Sequence, residues 1–151
     1  KVFIPGCSFM PMLPADVMLS CTLYYVSLQK VGSGLGSGAV IVMDETTCMV
    51  SACRRIARFY YAESCGQCTP CREGTGWMYR MLTRIVEGGA SIDDVHLLKA
   101  AAGQIEGHTI CAFGEAAAWP VQGFLRHYWN EFEYFVTHKR SIVDTGLGAA
   151  A

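Results

Sequence analysis

The spacing of apolar residues changes near residue 47. Val2-Phe3-Ile4 is a short strand-like run closed by Pro5-Gly6, and Pro11 and Pro14 enforce extended or looped backbone. Cys21–Leu28 is apolar and partly β-branched, a mixture that suits helix and strand equally. The glycine-rich run from Gly32 to Gly38 predicts a flexible turn, and Ala39–Met43 after it a buried strand. Residues 1–47 therefore read as a small, incomplete α+β piece. From Thr46 onward the period is helical: Met49, Ala52, Cys53, Ile56 and Phe59/Tyr60 form a stripe, with Arg54, Arg55 and Arg58 between them, over roughly 46–61. A second helix is expected at about 71–87, with Trp77, Met81 and Ile85 on its stripe and Gly88-Gly89 as its stop. Ser91-Ile-Asp-Asp94 resembles a capping box opening a third helix to about Gln104. After a loop at Gly107–Gly114, residues 115–136 form a last helix interrupted or restarted at Pro120. The fold class is mainly α: a four-helix arrangement over 48–136 and a frayed tail over 137–151.

Composition sharpens this picture. With 151 residues, 52% of them hydrophobic, the chain can bury a sizeable core. Charged residues are only 17% and the net charge is −1, so part of the surface is expected to face other chains. No basic stripe invites nucleic acid. The uncharged stretches Val17–Gln29 and Val31–Met43 are too short to span a bilayer. The start at Lys1, with neither initiator Met nor signal-like segment, reads as internal.

The eight cysteines are too sparse for a disulfide scaffold, and three of them lie within seven residues, which is metal-site clustering in a reducing compartment. Cys65-Gly-Gln-Cys68-Thr-Pro-Cys71 has the C-x2-C-x2-C spacing by which a tight loop brings three thiolates to three corners of an iron–sulfur cubane. A fourth ligand must come from elsewhere, and Cys111, in a loop between helices, stands where one is expected. Gly66 lets the backbone approach sulfur closely. Thr69 as N-cap with Pro70 at the first helical position would put Cys71 in a first turn, whose free N–H groups and dipole face an anionic group. A Cys3His zinc site using His108 is the alternative. Cys7, Cys21, Cys48 and Cys53 read as small buried hydrophobes.

Other signals carry less. Gly34-Leu-Gly36-Ser-Gly38-Ala39 matches a dinucleotide fingerprint, but a strand follows the glycines where a helix is needed. Asp44-Glu45 and Asp93-Asp94 suit turns and caps better than acid–base chemistry. Trp119, Phe124, Tyr128 and Trp129 read as core or subunit contact, and His96, His127 and His138 carry no signal.

The segment from Glu63 to Gly74 resembles the cluster motif of the flavin-carrying NADH-oxidising subunit of respiratory complex I. Ile105–Cys111 and Ala117–Gly123 resemble that subunit's fourth-ligand region, and the likeness extends over about 1–135. Related subunits occur in NAD-linked hydrogenases and formate dehydrogenases. The resemblance implies that 1–47 is the C-terminal part of a β-grasp-like module and 48–136 a helical [4Fe–4S] domain with ligands Cys65, Cys68, Cys71 and Cys111. It implies one-electron relay from a flavin mononucleotide reduced by NADH, both bound by parts of the parent protein absent here, so no catalytic residue is carried over. Partners would be the iron–sulfur subunits of the peripheral arm leading to ubiquinone, at the cytoplasmic face of a bacterial inner membrane or on the mitochondrial matrix side. A zinc-binding interaction module is the reading from another class. Three departures stand out: Cys7 where Gly is usual, Cys21–Tyr25 where an acidic stretch is expected, and Ala112-Phe113-Gly114-Glu115 where Leu and Asp are usual at the second and fourth places.

Overall fold

The computed structural model describes residues 1–145. Strands β1 (Val2–Pro5), β2 (Leu13–Pro14) and β3 (Val40–Met43) form an antiparallel sheet in the order β2-β1-β3. Two short helices, α1 (Ala15–Leu19) and α2 (Tyr25–Lys30), lie between β2 and β3. Tyr25–Lys30 resolves the ambiguous apolar stretch as helix, starting later than the apolar run itself. Then come α3 (Met49–Glu63), α4 (Thr69–Val86), α5 (Ile92–Ile105), α6 (Phe113–His127) and α7 (Trp129–His138), so the described chain is mainly helical with one small sheet.

Several boundaries and faces depart from the pattern. β3 is not a buried strand: Val40, Ile41 and Val42 are exposed. It pairs on one side only, with β1, and a continuous apolar run gives no sign of which face is covered. In α4 the buried face is Gly74, Thr75, Met78, Leu82 and Ile85, and Trp77 is 54% exposed. Gly74 lets α5 approach, and an added Cβ there would meet the Ile105 side chain, so the stripe is rotated away from the bulkier Trp77 and Met81. The expected helix over 115–136 is two, giving five helices after residue 48 instead of four. Pro120 sits inside α6, and the break comes at Tyr128, whose φ of −130° and ψ of 31° leave helical geometry. The chain does not fray from Thr137: α7 runs to His138, Lys139 ends it with φ 58°, and Ser141 is buried. Residues 146–151 of the expected tail lie outside the described residues.

Cap chemistry explains the helix starts. Ser91 N–H donates to Asp94 Oδ2 at 2.7 Å, the side-chain arm of the capping box. Cys48 is not on α3 but caps it, its Sγ accepting from Ser51 N–H at 3.5 Å.

One core joins sheet and helices. Val2, Ile4 and Met12 pack with Met49, Cys53, Met78, Leu82, Leu98, Phe124 and Phe132, whereas Leu13, Met18 and Leu28 form a satellite cluster. The sheet is also tied down by polar contacts. Lys1 Nζ pairs with Glu131 Oε1 at 2.6 Å in a buried setting, Glu131 Oε2 accepts from Met49 N–H at 3.2 Å, and Tyr128 Oη donates to the Lys1 carbonyl at 2.9 Å. Removing one partner of such a pair leaves an uncompensated buried charge.

Candidate metal centre

Two helix–helix links meet at one end of the bundle: residues 64–68 between α3 and α4, and residues 106–112 between α5 and α6. In the first, Cys65 is exposed, Cys68 half-buried and Cys71, just beyond it, buried at 5% exposure. The N-cap of α4 is Cys68 itself, one residue earlier than expected, with Thr69 and Pro70 in the first two helical positions. Helix ends shift this easily, and Cys71 remains in the first turn, where backbone N–H groups have no intrahelical acceptor. Gly66 has φ +75°, a left-handed conformation that costs L side chains about 1–2 kcal/mol and glycine nothing. Its N–H donates to Ser64 Oγ at 3.3 Å and its carbonyl accepts from Arg72 Nη1 at 3.0 Å, closing the loop on itself.

The Cys71 thiol is pushed above its usual range, first by burial, and then by the nearby thiols of Cys68, Cys111 and Cys65, against a hydrogen bond from Ser64. The Ile105 side chain at the end of α5 meets Gly74 near the start of α4, so the link that carries Cys111 begins beside the turn that carries Cys71. All eight cysteines are free. Among the described residues no three His, Cys, Asp or Glu side chains converge tightly enough for a single metal ion. One zinc ion holds every sulfur at about 2.3 Å from a common point, whereas a cubane spreads its thiolates over separate irons. Four thiols are a soft donor set, of the kind that takes zinc or an iron–sulfur cluster. His108 Nδ1 lies 2.8 Å from the Glu106 carbonyl oxygen, which leaves Nε2 as its ring nitrogen open to a ligand.

The loop carrying Cys111 is held by residues of the two segments that resemble the fourth-ligand region, joined by Glu115. Glu106 accepts from Trp119 Nε1 at 2.6 Å and from Gln122 Nε2 at 2.9 Å. These bonds, Gln122 first and Trp119 next, with the Arg126 charge beyond them, hold the Glu106 carboxyl below its usual range. Glu115 Oε1 accepts from Gly107 N–H at 3.0 Å, and Thr109 Oγ1 donates to the Cys111 carbonyl at 2.8 Å. Gly114 lies so close to Thr109 that any Cβ there would collide with it. A carboxylate just before a cysteine loop and an indole thirteen residues on are far apart in sequence, and only the α5–α6 packing brings them together.

The remaining cysteines take other roles. Cys53 lies in the core, where burial drives its thiol far up. Cys7 and Cys21 are half-buried, not buried. Cys7 has φ +84°, the left-handed region, which accounts for Gly as the usual residue there. Phe124 is core, but Trp119 serves Glu106. No helix among the described residues is long and apolar enough to cross a membrane.

Comparison with known proteins shows what the chain is similar to. The model of the NADH-ubiquinone oxidoreductase-F iron-sulfur binding region matches residues 51–135. The NADH-quinone oxidoreductase F protein of Rickettsia bellii is 50% identical over 133 residues, covering 88% of this chain and 32% of that protein. Its counterpart in Rickettsia akari is 51% identical over 133 residues, covering 88% and 31%. The chain thus spans about a third of the length of the curated relatives it matches. The structure of an NAD+-reducing [NiFe]-hydrogenase in the H2-reduced state superposes with TM-score 0.80 at 28% identity, over 89% of this chain and 23% of that one. The air-oxidised state gives TM-score 0.80 at 26% identity, over 99% and 26%. By the match over residues 51–135, the chain belongs to the NADH-ubiquinone oxidoreductase-F iron-sulfur binding family.

Proposed function

We propose that Cys65, Cys68, Cys71 and Cys111 hold one [4Fe–4S] cluster, and that this chain is the electron-relay portion of an NADH:quinone oxidoreductase flavoprotein subunit. The observation that supports the ligand set is the buried Cys71 in the first turn of α4, beside the end of α5 that leads into the Cys111 loop, where Gly74 meets Ile105. When bound, such a cluster supplies a one-electron carrier, and it splits the two electrons of a reduced flavin into single steps. The chain's residues position and shield it. The first turn of α4 directs unpaired N–H groups and the positive dipole end at the sulfurs. Gly66 opens the backbone for close approach, and Glu106, Glu115 and Thr109 fix the loop that presents Cys111. Flavin, NADH and the iron–sulfur partner subunits belong to the parent assembly, on the cytoplasmic or matrix side, and this chain alone is not expected to oxidise NADH. The bundle and sheet are interpreted as a helical domain over 48–136 preceded by the end of a β-grasp-like module over 1–47.

A second reading rests on the superposition with NAD+-reducing [NiFe]-hydrogenase: the same cluster serving a hydrogenase diaphorase subunit. Anaerobic reconstitution followed by iron and sulfide assay and EPR tests the cluster. Four irons and four sulfides per chain with a reducible signal are expected. One tightly held zinc, or no metal, would refute it.

A further inference from the structure

We propose that Ser64 tunes the electron affinity of the site through a hydroxyl hydrogen bond to the Cys71 sulfur; this rests on the cluster reading above. Ser64 is the C-cap of α3, with φ −62° and ψ 127°, so the chain turns there from helix to extended and its side chain faces the first turn of α4. Its Oγ lies 3.2 Å from Cys71 Sγ, and Gly66 N–H donates to the same oxygen at 3.3 Å. A hydroxyl has one proton and two lone pairs. The Gly66 amide engages a lone pair, which leaves the proton for sulfur. A metal-bound thiolate has no proton of its own, so the direction of the bond is settled: Ser64 donates and Cys71 accepts.

The location makes the bond count. Cys71 is 5% exposed, while Cys65 and Cys111 are exposed. A dipole aimed at a buried charge is less screened by water than one at the surface. Among the described residues, Cys71 is the one of the four sulfurs with a side-chain hydrogen bond. Reduction adds one electron, with no bond broken and no proton taken up, and the added charge spreads onto the ligand sulfurs. A donor at Cys71 stabilises the reduced form more than the oxidised, so Ser64 raises the reduction potential.

The test uses the full 151-residue chain, reconstituted anaerobically and titrated with dithionite under EPR. Ser64→Thr keeps the hydroxyl, and Ser64→Val matches the shape of Thr without it. Ser64→Thr is expected to titrate with wild type. Ser64→Val should shift the reduction equilibrium by up to about tenfold toward the oxidised form, which is about 59 mV more negative for one electron. Iron and sulfide content should be equal in all three. Identical midpoints for the Thr and Val variants would overturn the proposal, as would a Val variant that loses iron while its remaining clusters titrate at the wild-type potential. Where Val does not assemble, Ser64→Ala replaces it, and ENDOR in D2O must reveal an exchangeable proton coupling that wild type has and Ala lacks. Wild type without iron would instead refute the cluster reading itself, with no midpoint to measure.

Discussion

Between Cys65 and Cys71 the chain positions its own thiols: a left-handed Gly66, a closing Arg72 contact and the start of α4 set three sulfurs within seven residues. Around Cys111 the positioning comes from outside the loop. Glu106 is anchored by Trp119 and Gln122 of α6, and Gly107 by Glu115. A local device needs only its own residues to be right. A device built across space depends on α5 and α6 packing at the correct distance, so its failure modes are more numerous and more easily provoked.

The largest expected effect separates ligand from packing. Cys111→Ala should lose most of its iron on reconstitution, while Cys53→Ala should keep it and unfold at lower denaturant, by about 1 kcal/mol for a small buried side chain. Equal iron loss in both would erase the distinction between a cysteine at the site and one in the core. Next, Glu106→Ala in the metal-free chain leaves the Trp119 and Gln122 donors without their acceptor and should cost about 1–3 kcal/mol in urea unfolding. The same residue sharpens the comparison through pH. Its folded carboxyl lies below the ordinary value of 4.5, so its contribution is complete above that pH and is lost as pH falls through the folded value. The stability gap between wild type and Glu106→Gln should therefore be flat above 4.5 and close below it; a gap that persists at lower pH would show that the charge of Glu106 does not matter. Gly66→Ala should cost about 1 kcal/mol by forcing a side chain into left-handed backbone. The smallest effect belongs to Thr83→Val, since the Thr83 hydroxyl is buried without a hydrogen-bond partner. Thermal unfolding should move by no more than about 0.5 kcal/mol, or toward greater stability.

How far the site was legible follows the same division. The Cys65–Cys71 triple, the α4 start within one residue of Thr69 and the Ser91–Asp94 cap are all short-range, and each is readable from spacing. By spacing Glu106 gives no signal, because its partners lie thirteen and sixteen residues away, and only the resemblance over Ile105–Cys111 and Ala117–Gly123 takes in all three. The buried face of α4 escapes the pattern for a related reason. Trp77 and Met81 are the bulkier apolar residues, but close approach of α5 requires the small Gly74. The Lys1–Glu131 pair, which ties the sheet to α7, joins residues at opposite ends of the chain and no periodicity announces it.

From its residues alone, this chain determined a helical period after residue 47, one tight thiol-rich loop and a lone cysteine available to complete it. Those features depend on steric and hydrogen-bonding rules that act within a few residues, so they are written wherever the residues are. The tertiary structure alone decided that the end of α5 packs beside the start of α4, that Trp77 faces water and that a break falls at Tyr128, not at Pro120. Those outcomes depend on which surfaces can approach closely enough to exclude water, and that is a property of pairs of elements rather than of any one stretch.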